Sequence, residues 1–249
     1  MAAYKKFARW YDAFMADIPY GQWAGYVIGK LKKYNVKPCI EQGRADGIIL
    51  ELGCGTGSMS RYLCIEGDKV VGIDISADMV NEAKRKIIPN FEPYVADMRA
   101  PLLEPGSCAG IVSVCDSMNY LTTRVDLELT MKAAAYQLCD GGVFIFDMKT
   151  EEFYRSELGD NVFTDRAGRI SYVWENHYNK RTNINIYDIT FYKKIAGNLC
   201  LSYTEHHRQR AYSKKFIKAA AQKYGFELLE YEVKGERAYY ILKKYRNED

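Results

Sequence analysis

The sequence predicts an α/β fold on three observations: a doubly wound, mostly parallel sheet with helices before it and an antiparallel β-sheet inserted late. Ile48 to Asp74 reads as an apolar run ending in a carboxylate, a glycine turn, a short helix and a second apolar run ending in Asp, which is half of a mononucleotide-binding βαβ unit. Apolar strands and helical patterns then alternate as far as Asp147, which requires right-handed crossovers in a parallel sheet. From about Arg169 to Tyr212 the period drops to two, the mark of antiparallel strands.

Ahead of the first strand, Phe7, Trp10, Tyr11 and Phe14 lie at helical spacing, and after Pro19 the pattern resumes with Tyr20, Trp23, Ala24, Val27, Ile28 and Leu31. Phe7, Val27, Ile28 and Leu31 are expected to cover the sheet; Tyr11, Tyr20 and Trp23 either join them or form an aromatic lid over a ligand.

In the turn E51-L52-G53-C54-G55-T56-G57-S58, the three glycines let the chain leave the strand sharply and turn its N–H groups toward a ligand. Asp74 follows Gly53 by about 20 residues, the separation at which a carboxylate reaches a ribose hydroxyl pair, so a nucleoside is the expected ligand. The dinucleotide fingerprint G-x-G-x-x-G wants its third small residue where this chain has Ser58; the spacing here is G-x-G-x-G.

Ser76 is placed to cap a helix running to Ile87, with Asp78 in its first turn and Lys84, Arg85 and Lys86 near its end, an order that suits the helix dipole. Phe91 to Val95 is a third strand, with Asp97 and Met98 at its carboxyl end, where ligands sit in open α/β sheets. Gly110 to Cys115 is the fourth, leading into D116-S117-M118-N119-Y120-L121. Val125, Leu129, Met131 and Leu138 suggest one helix face, stopped by Asp140-Gly141-Gly142. Val143 to Asp147 is a fifth strand, continuous in its apolarity and so buried on both faces.

Three inserted strands follow, around Ile170-Tyr172-Trp174, Asn183 to Tyr192, and Leu199 to Arg208, with a turn at Ala196-Gly197-Asn198. Ser213 caps a last helix whose Phe216, Ile217, Ala220, Ala221 and Tyr224 share a face, ended by Gly225. Phe226 to Val233 and Ala238 to Lys244 alternate well enough to form a strand pair joined at Gly235, which brings the strands outside the insert to seven.

The bulk numbers narrow the function classes. A chain of 249 residues suits one large domain or a core with an insertion. Lys+Arg 35 against Asp+Glu 32 leaves +3, no strong footprint for a polyanion. No apolar run approaches the roughly 18 residues that span a bilayer, and the N-terminus lacks a signal-peptide core, so no membrane partner and a cytoplasmic location are expected. Seven cysteines without a C-x-x-C pair argue against a disulfide or zinc framework, and with only His177, His206 and His207 no metal site is expected.

E-L-G-C-G-T-G on a strand end, with Asp74 downstream, resembles the first motif of the class I S-adenosylmethionine-dependent methyltransferases. Y11-D12-x-F14-M15, P19-Y20-x-x-W23, D116-S117-x-N119-Y120-L121, F144-I145-F146-D147, W174-E175-N176 and E205-H206-x-x-x-R210-A211-Y212 are similar to a small bacterial group of that family, largely of unassigned substrate. The resemblance implies a Rossmann-like methyltransferase sheet and S-adenosyl-L-methionine as cofactor, leaving as S-adenosyl-L-homocysteine. It gives cofactor binding to Tyr11, Glu51, Gly53, Cys54, Gly55, Gly57, Asp74, Ile75, Met79, Asp97, Met98, Cys115 and Asp116, with Asp97 on the adenine amino group and Met98 on the ring. It also implies that the insert roofs an acceptor pocket, with Tyr20, Trp23, Asn119, Tyr120, Trp174 and His206 binding substrate. The aromatic faces of a lid formed by Tyr11, Tyr20 and Trp23 would attract a sulfonium by roughly 0.5 to 2 kcal/mol. The division expected is 1–47 as a helical lid, 48–164 and 213–249 as the cofactor-binding core, and 165–212 as the insert.

The expected activity is methyl transfer to an N or O atom of a small molecule. His206, Tyr11 and Asp116 are the catalytic candidates, with Tyr120 as a further hydrogen-bond partner. Neighbours on a strand face opposite ways, so only one of His206 and His207 can face the pocket, and the E-H-x-x-x-R-A-Y string selects His206. Glu205 and Arg210 are expected to pair within the insert. Methyltransferases acting on nucleic-acid bases often carry Asn-Pro-Pro-Tyr after the fourth strand, and Asp116-Ser117-Met118-Asn119-Tyr120 lacks the prolines. An RNA or protein methyltransferase is the alternative reading. An NAD-dependent oxidoreductase is disfavoured by Ser58 and Glu51, and a cofactor-binding module without turnover is a further alternative.

Overall fold

The computed structural model describes residues 8–34, 47–65, 69–197 and 199–245. The helices α1 (Ala8–Phe14) and α2 (Tyr20–Lys33) precede β1 (Ile48–Leu52), α3 (Ser60–Ile65), β2 (Lys69–Asp74), α4 (Ala77–Arg85), β3 (Phe91–Val95) and β4 (Cys108–Ser113). A 3-10 turn (Ser117–Tyr120), α5 (Arg124–Gln137), β5 (Leu138–Lys149) and a π-helical turn (Phe153–Leu158) lead to β6 (Val162–Ala167), β7 (Ile170–Asn179), β8 (Ile184–Ala196) and β9 (Leu199–Arg210). The chain closes with α6 (Lys214–Lys223), β10 (Phe226–Lys234) and β11 (Arg237–Lys244). Phe7 and Asn198 lie outside the described residues.

The first sheet runs β10-β11-β5-β4-β1-β2-β3, parallel from β3 to β5, with β11 antiparallel to both of its neighbours. The last strand is therefore tucked between β5 and β10. Period two along the strands sends Leu50, Leu52, Phe144 and Phe146 to one face, against Leu127 and Met131 of α5 and Ile217 and Ala221 of α6. Ile49, Val143 and Ile145 go to the other, against Ala24, Val27 and Leu31 of α2 and Leu63 of α3. Pro93 lies in β3, an edge strand, where its missing N–H interrupts no interior ladder.

The N-caps at Ser76 and Ser213 form, each side chain accepting a backbone N–H from Met79 and Phe216 respectively. The α5 face differs from expectation. Val125 and Leu129 are exposed, and the core side is Leu127, Thr130, Met131 and Ala134. A threonine can take a core position because its hydroxyl donates to the Asp126 carbonyl at 3.0 Å, and this polar letter hid the true period. Gly141 and Gly142 do not end the helix ahead of a strand; β5 already begins at Leu138, and its register against β4 shifts between Cys108 and Gly110.

The second sheet has the order β6-β7-β8-β9, all antiparallel, one strand more than the period-two pattern suggested. β6 is an edge strand whose Thr164, Asp165 and Arg166 are exposed, so burial left no alternation in its sequence. Phe14 of α1 packs edge-on against Tyr172 and tilted against Phe191, which ties the N-terminal helix to this sheet. Among the described residues no helix is long and apolar enough to cross a membrane.

Candidate active site

The carboxyl ends of β1, β2 and β4 open onto a cavity of about 590 Å³. Gly53, with φ +73°, leaves β1 in a left-handed conformation, and a Cβ there would meet Ser117 Oγ at 2.4 Å. Gly57, with φ +79°, would press a Cβ to within 2.9 Å of the Phe91 ring. Asp74 holds this turn from the next strand: its carboxylate accepts the Gly55 N–H at 2.9 Å and the Ser76 N–H at 2.8 Å. Burial raises the Asp74 pKa against those two bonds. Glu51 is buried beside it and accepts the Ser60 hydroxyl; burial, with a smaller push from Asp74, lifts its pKa to about 8.

Tyr11, Glu51, Gly53, Cys54, Gly55, Asp74, Ile75, Met79, Asp97, Met98 and Cys115 all line this cavity. Gly57 instead borders a second cavity of about 670 Å³, and Tyr20 and Ser58 touch both. Asp97 is held by Arg99, whose Nε lies 3.0 Å from each carboxylate oxygen and whose guanidinium pulls the Asp97 pKa down. Arg99 also reaches Asp126 at 2.7 Å, so the cavity rim carries an acid–base–acid chain.

At the end of β4, Cys115 and Asp116 are consecutive left-handed residues, with φ 61° and 56°. Two such non-glycine residues are strained, and the buried Asp147 carboxylate over-determines them by accepting both N–H groups, at 3.1 and 2.8 Å. The Asp116 carboxylate is in turn met by Arg237 at 2.9 Å, Gln209 at 2.8 Å and Lys149 at 3.8 Å. Burial alone would raise its pKa, but Lys149 and Arg237 outweigh that and lower it. Arg237 also contacts Asp147 at 3.3 Å, and its guanidinium stacks 4.7 Å from the centre of the Trp23 ring. Burial raises the Asp147 pKa despite this arginine.

The structure separates the remaining expected residues. Tyr20 and Tyr120 line the main cavity, whereas Trp23, Asn119, Trp174 and Asp116 do not. Asn119 is buried and bonded to the backbone of Lys149 and Arg210, splicing the 3-10 turn to β5 and β9. Trp174 packs on Phe163 and Tyr187. His206 is exposed, 2.7 Å from Asp188, and borders the cavity at its rim. His207 is on the inner face, stacked 4.6 Å from the Tyr187 ring and 3.0 Å from the Tyr120 hydroxyl.

Glu205 does not pair with Arg210. An odd number of steps along β9 puts them on opposite faces; Glu205 lies 3.3 Å from His207 Nε2, and Arg210 donates to the Thr122 carbonyl at 2.9 Å. Arg237, Asp147, Gln209 and Lys149 escaped the sequence reading. Asp147 alone had a signal, since it ends an apolar strand as Glu51 and Asp74 do.

This strand order, with a glycine turn after β1 and a carboxylate at the end of β2, defines a Rossmann-like nucleotide-binding class. Residues 49–142 match the methyltransferase domain family. YqeM of Bacillus subtilis (strain 168), provisionally named a methyltransferase, is 31% identical over 228 residues, covering 90% of this chain and 87% of its own. The dTDP-3-amino-3,4,6-trideoxy-alpha-D-glucopyranose N,N-dimethyltransferase of Streptomyces venezuelae is 31% identical over 99 residues, 40% of this chain and 41% of its own. The crystal structure of an S-adenosylmethionine-dependent methyltransferase from Clostridium acetobutylicum ATCC 824 superposes with a TM-score of 0.82 at 26% identity, covering 97% of this chain and 98% of that one. The chain belongs to the class I S-adenosylmethionine-dependent methyltransferases.

Proposed function

We propose that this enzyme binds S-adenosyl-L-methionine in the cavity of about 590 Å³ and methylates an N or O atom of a small molecule enclosed between that cavity and the inserted sheet. The observation that carries the reading is that one cavity is lined both by the glycine turn with Asp74 and by Tyr120 and His207 beneath the insert. Such a pocket encloses both reactants. The residues suit the cofactor: Asp74 for ribose hydroxyls, Ile75, Met79 and Met98 for an apolar base, and the Gly53–Gly55 backbone with Tyr11 for the charged tail.

When bound, S-adenosyl-L-methionine supplies an electrophilic methyl group on a sulfonium. What remains for the chain is to hold an acceptor lone pair in line with it, and such positioning carries effective molarities of roughly 10⁵ to 10⁸ M. Tyr11 and Tyr20 are assigned to the lid, Cys115 to the junction of cofactor and acceptor, and Tyr120, with His206 at the rim, to the acceptor. Asp116, kept ionised by Arg237 and Lys149, is assigned to holding that junction in shape rather than to taking a proton. The division into lid (1–47), core (48–164 and 213–249) and insert (165–212) is kept, with β6 carrying the insert's start back to Val162. The amino-sugar dimethyltransferase among the relatives favours an amine acceptor.

The test is thermal unfolding with S-adenosylhomocysteine and, separately, NADH, because a ligand that binds only the native state raises the midpoint. S-adenosylhomocysteine is expected to raise it and NADH not. Asp74→Ala should weaken S-adenosylhomocysteine binding at least tenfold, roughly the loss of one charge-assisted bond pair. Wild-type affinity in that variant would overturn the ribose assignment.

A further inference from the structure

We infer that Glu205, His207 and Tyr120 form a proton relay that ends on the acceptor, with Tyr120 as the catalytic residue and His207 and Glu205 as positioning residues behind it. The inference rests on the reading above and adds the route by which the acceptor's proton leaves.

The three residues come from different parts of the chain. Tyr120 closes the 3-10 turn after β4 and lines the main cavity, in which Cys115 and Ser117 also lie. Glu205 and His207 are two residues apart on β9 and share the inner face, each almost wholly buried, at 4% and 1% exposure. His207 Nδ1 is 3.0 Å from the Tyr120 hydroxyl, and its Nε2 is 3.3 Å from the Glu205 carboxylate. That approach is a charge contact and not a formed hydrogen bond; a hydrogen on Nε2 is the tautomer that a carboxylate at this distance stabilises, and it leaves Nδ1 to accept from Tyr120. With the Tyr120 hydrogen directed at His207, Tyr187, 2.9 Å away, must donate to the Tyr120 oxygen. Stacking of Tyr187 on the imidazole at 4.6 Å with a 7° tilt fixes the ring plane.

The direction of these bonds is the direction of proton loss. As the neutral amine's lone pair forms the N–C bond, the C–S bond breaks and its electron pair stays on sulfur, leaving a methylated ammonium. An N–H proton of that ammonium passes to the Tyr120 oxygen while the Tyr120 proton passes to His207 Nδ1; the N–H pair stays on nitrogen. The imidazolium so formed faces Glu205. A hydroxyl acceptor would lose its proton along the same route.

His206, exposed at the cavity rim and paired with Asp188, is not the histidine that meets the Tyr120 hydroxyl.

The relay is tested in two arms. With histidine labelled in ¹⁵N, two-bond proton–nitrogen spectra of the full-length protein with S-adenosylhomocysteine report the tautomer of each of the three histidines. His207→Gln identifies the buried ring. The expected result is a His207 ring protonated on Nε2, whose Nδ1 resonance moves in Tyr120→Phe and whose tautomer balance changes in Glu205→Gln. Protonation on Nδ1, or a Tyr120→Phe spectrum identical to wild type, would overturn the relay. In the second arm, S-adenosylhomocysteine release is followed with S-adenosylmethionine and a low-molecular-mass cell extract as the source of acceptors. Tyr120→Phe should lower kcat about 10²-fold, the scale of one general base, with little change in KM or in S-adenosylhomocysteine affinity. Wild-type kcat in that variant would also overturn the relay. Absence of turnover by the wild type would count against the small-molecule reading, while the tautomer still decides the relay.

Discussion

Glu51 shows how much a single side chain can be displaced from its behaviour in water. Burial lifts its pKa from an ordinary 4.5 to about 8, with Ser60 opposing and Asp74 adding to the shift. A folded-state pKa above the unfolded one means that the native protein holds the proton longer. The stability this contributes is whole below pH 4.5 and is lost as pH rises through about 8. Asp74 and Asp147 are shifted the same way, so the difference between variant and wild type isolates Glu51. Glu51→Gln, which still accepts the Ser60 hydroxyl, should flatten the fall. Its Tm relative to wild type is expected to climb between pH 5 and pH 8.5, by roughly 2–4 °C for each kcal/mol recovered. Parallel Tm curves for the two proteins would show that Glu51 does not titrate in this range.

Among the elements, α2 illustrates docking by charge at one end and apolar packing along its length. Ala24, Val27 and Leu31 are buried against the sheet, while Lys30, Lys33 and Tyr34 converge on Glu230 of β10. Burial would raise the Glu230 pKa, but the three donors prevail and bring it down to about 2. A depressed folded pKa gives stability that is present above the unfolded value and lost as pH falls through the folded one. Because these groups are partly exposed, solvent screening limits the effect. Glu230→Gln should lower the urea-unfolding free energy by up to about 1 kcal/mol at pH 7, with the gap to wild type closing as pH falls toward 2. Helix α2 was legible from its period alone; its partner on β10 was not, since Glu230 sits in an ordinary alternating strand.

At the scale of the molecule, Arg237 joins parts that the sequence keeps far apart. It neutralises Asp116 at the end of β4 and Asp147 in β5, and Trp23 of α2 stacks on it. Asp116 receives Gln209 from β9 of the second sheet, and Gln209 is itself held by the Tyr154 hydroxyl at 2.9 Å. Helix α2 and the two sheets thus meet at one buried charge cluster. Arg237→Met should destabilise by about 3–5 kcal/mol, the cost of leaving a buried carboxylate without its counter-charge. Adding Asp116→Asn should recover part of that loss in the same urea titration. No recovery would assign the loss to packing instead.

The sequence by itself determined the family, the fold class and, β6 apart, the succession of strands. Those features are local: a glycine turn, a strand-end carboxylate and apolar periods are each written within a few residues, and their conformations follow from sterics and burial. It misplaced what depends on residues distant in the chain. The α5 face was hidden by a threonine that satisfies its hydroxyl within the helix, and β6 by its exposed edge. Only the tertiary structure decided that His207, not His206, faces the interior, that Glu205 lies against His207, and that Asp116 is clamped by Arg237. Strand parity allows one histidine inward but does not say which; the pairing of Tyr187 with His207 across β8 and β9 fixes it. A buried charge must find its partner in space, and the spacing of residues along the chain carries no record of where that partner lies.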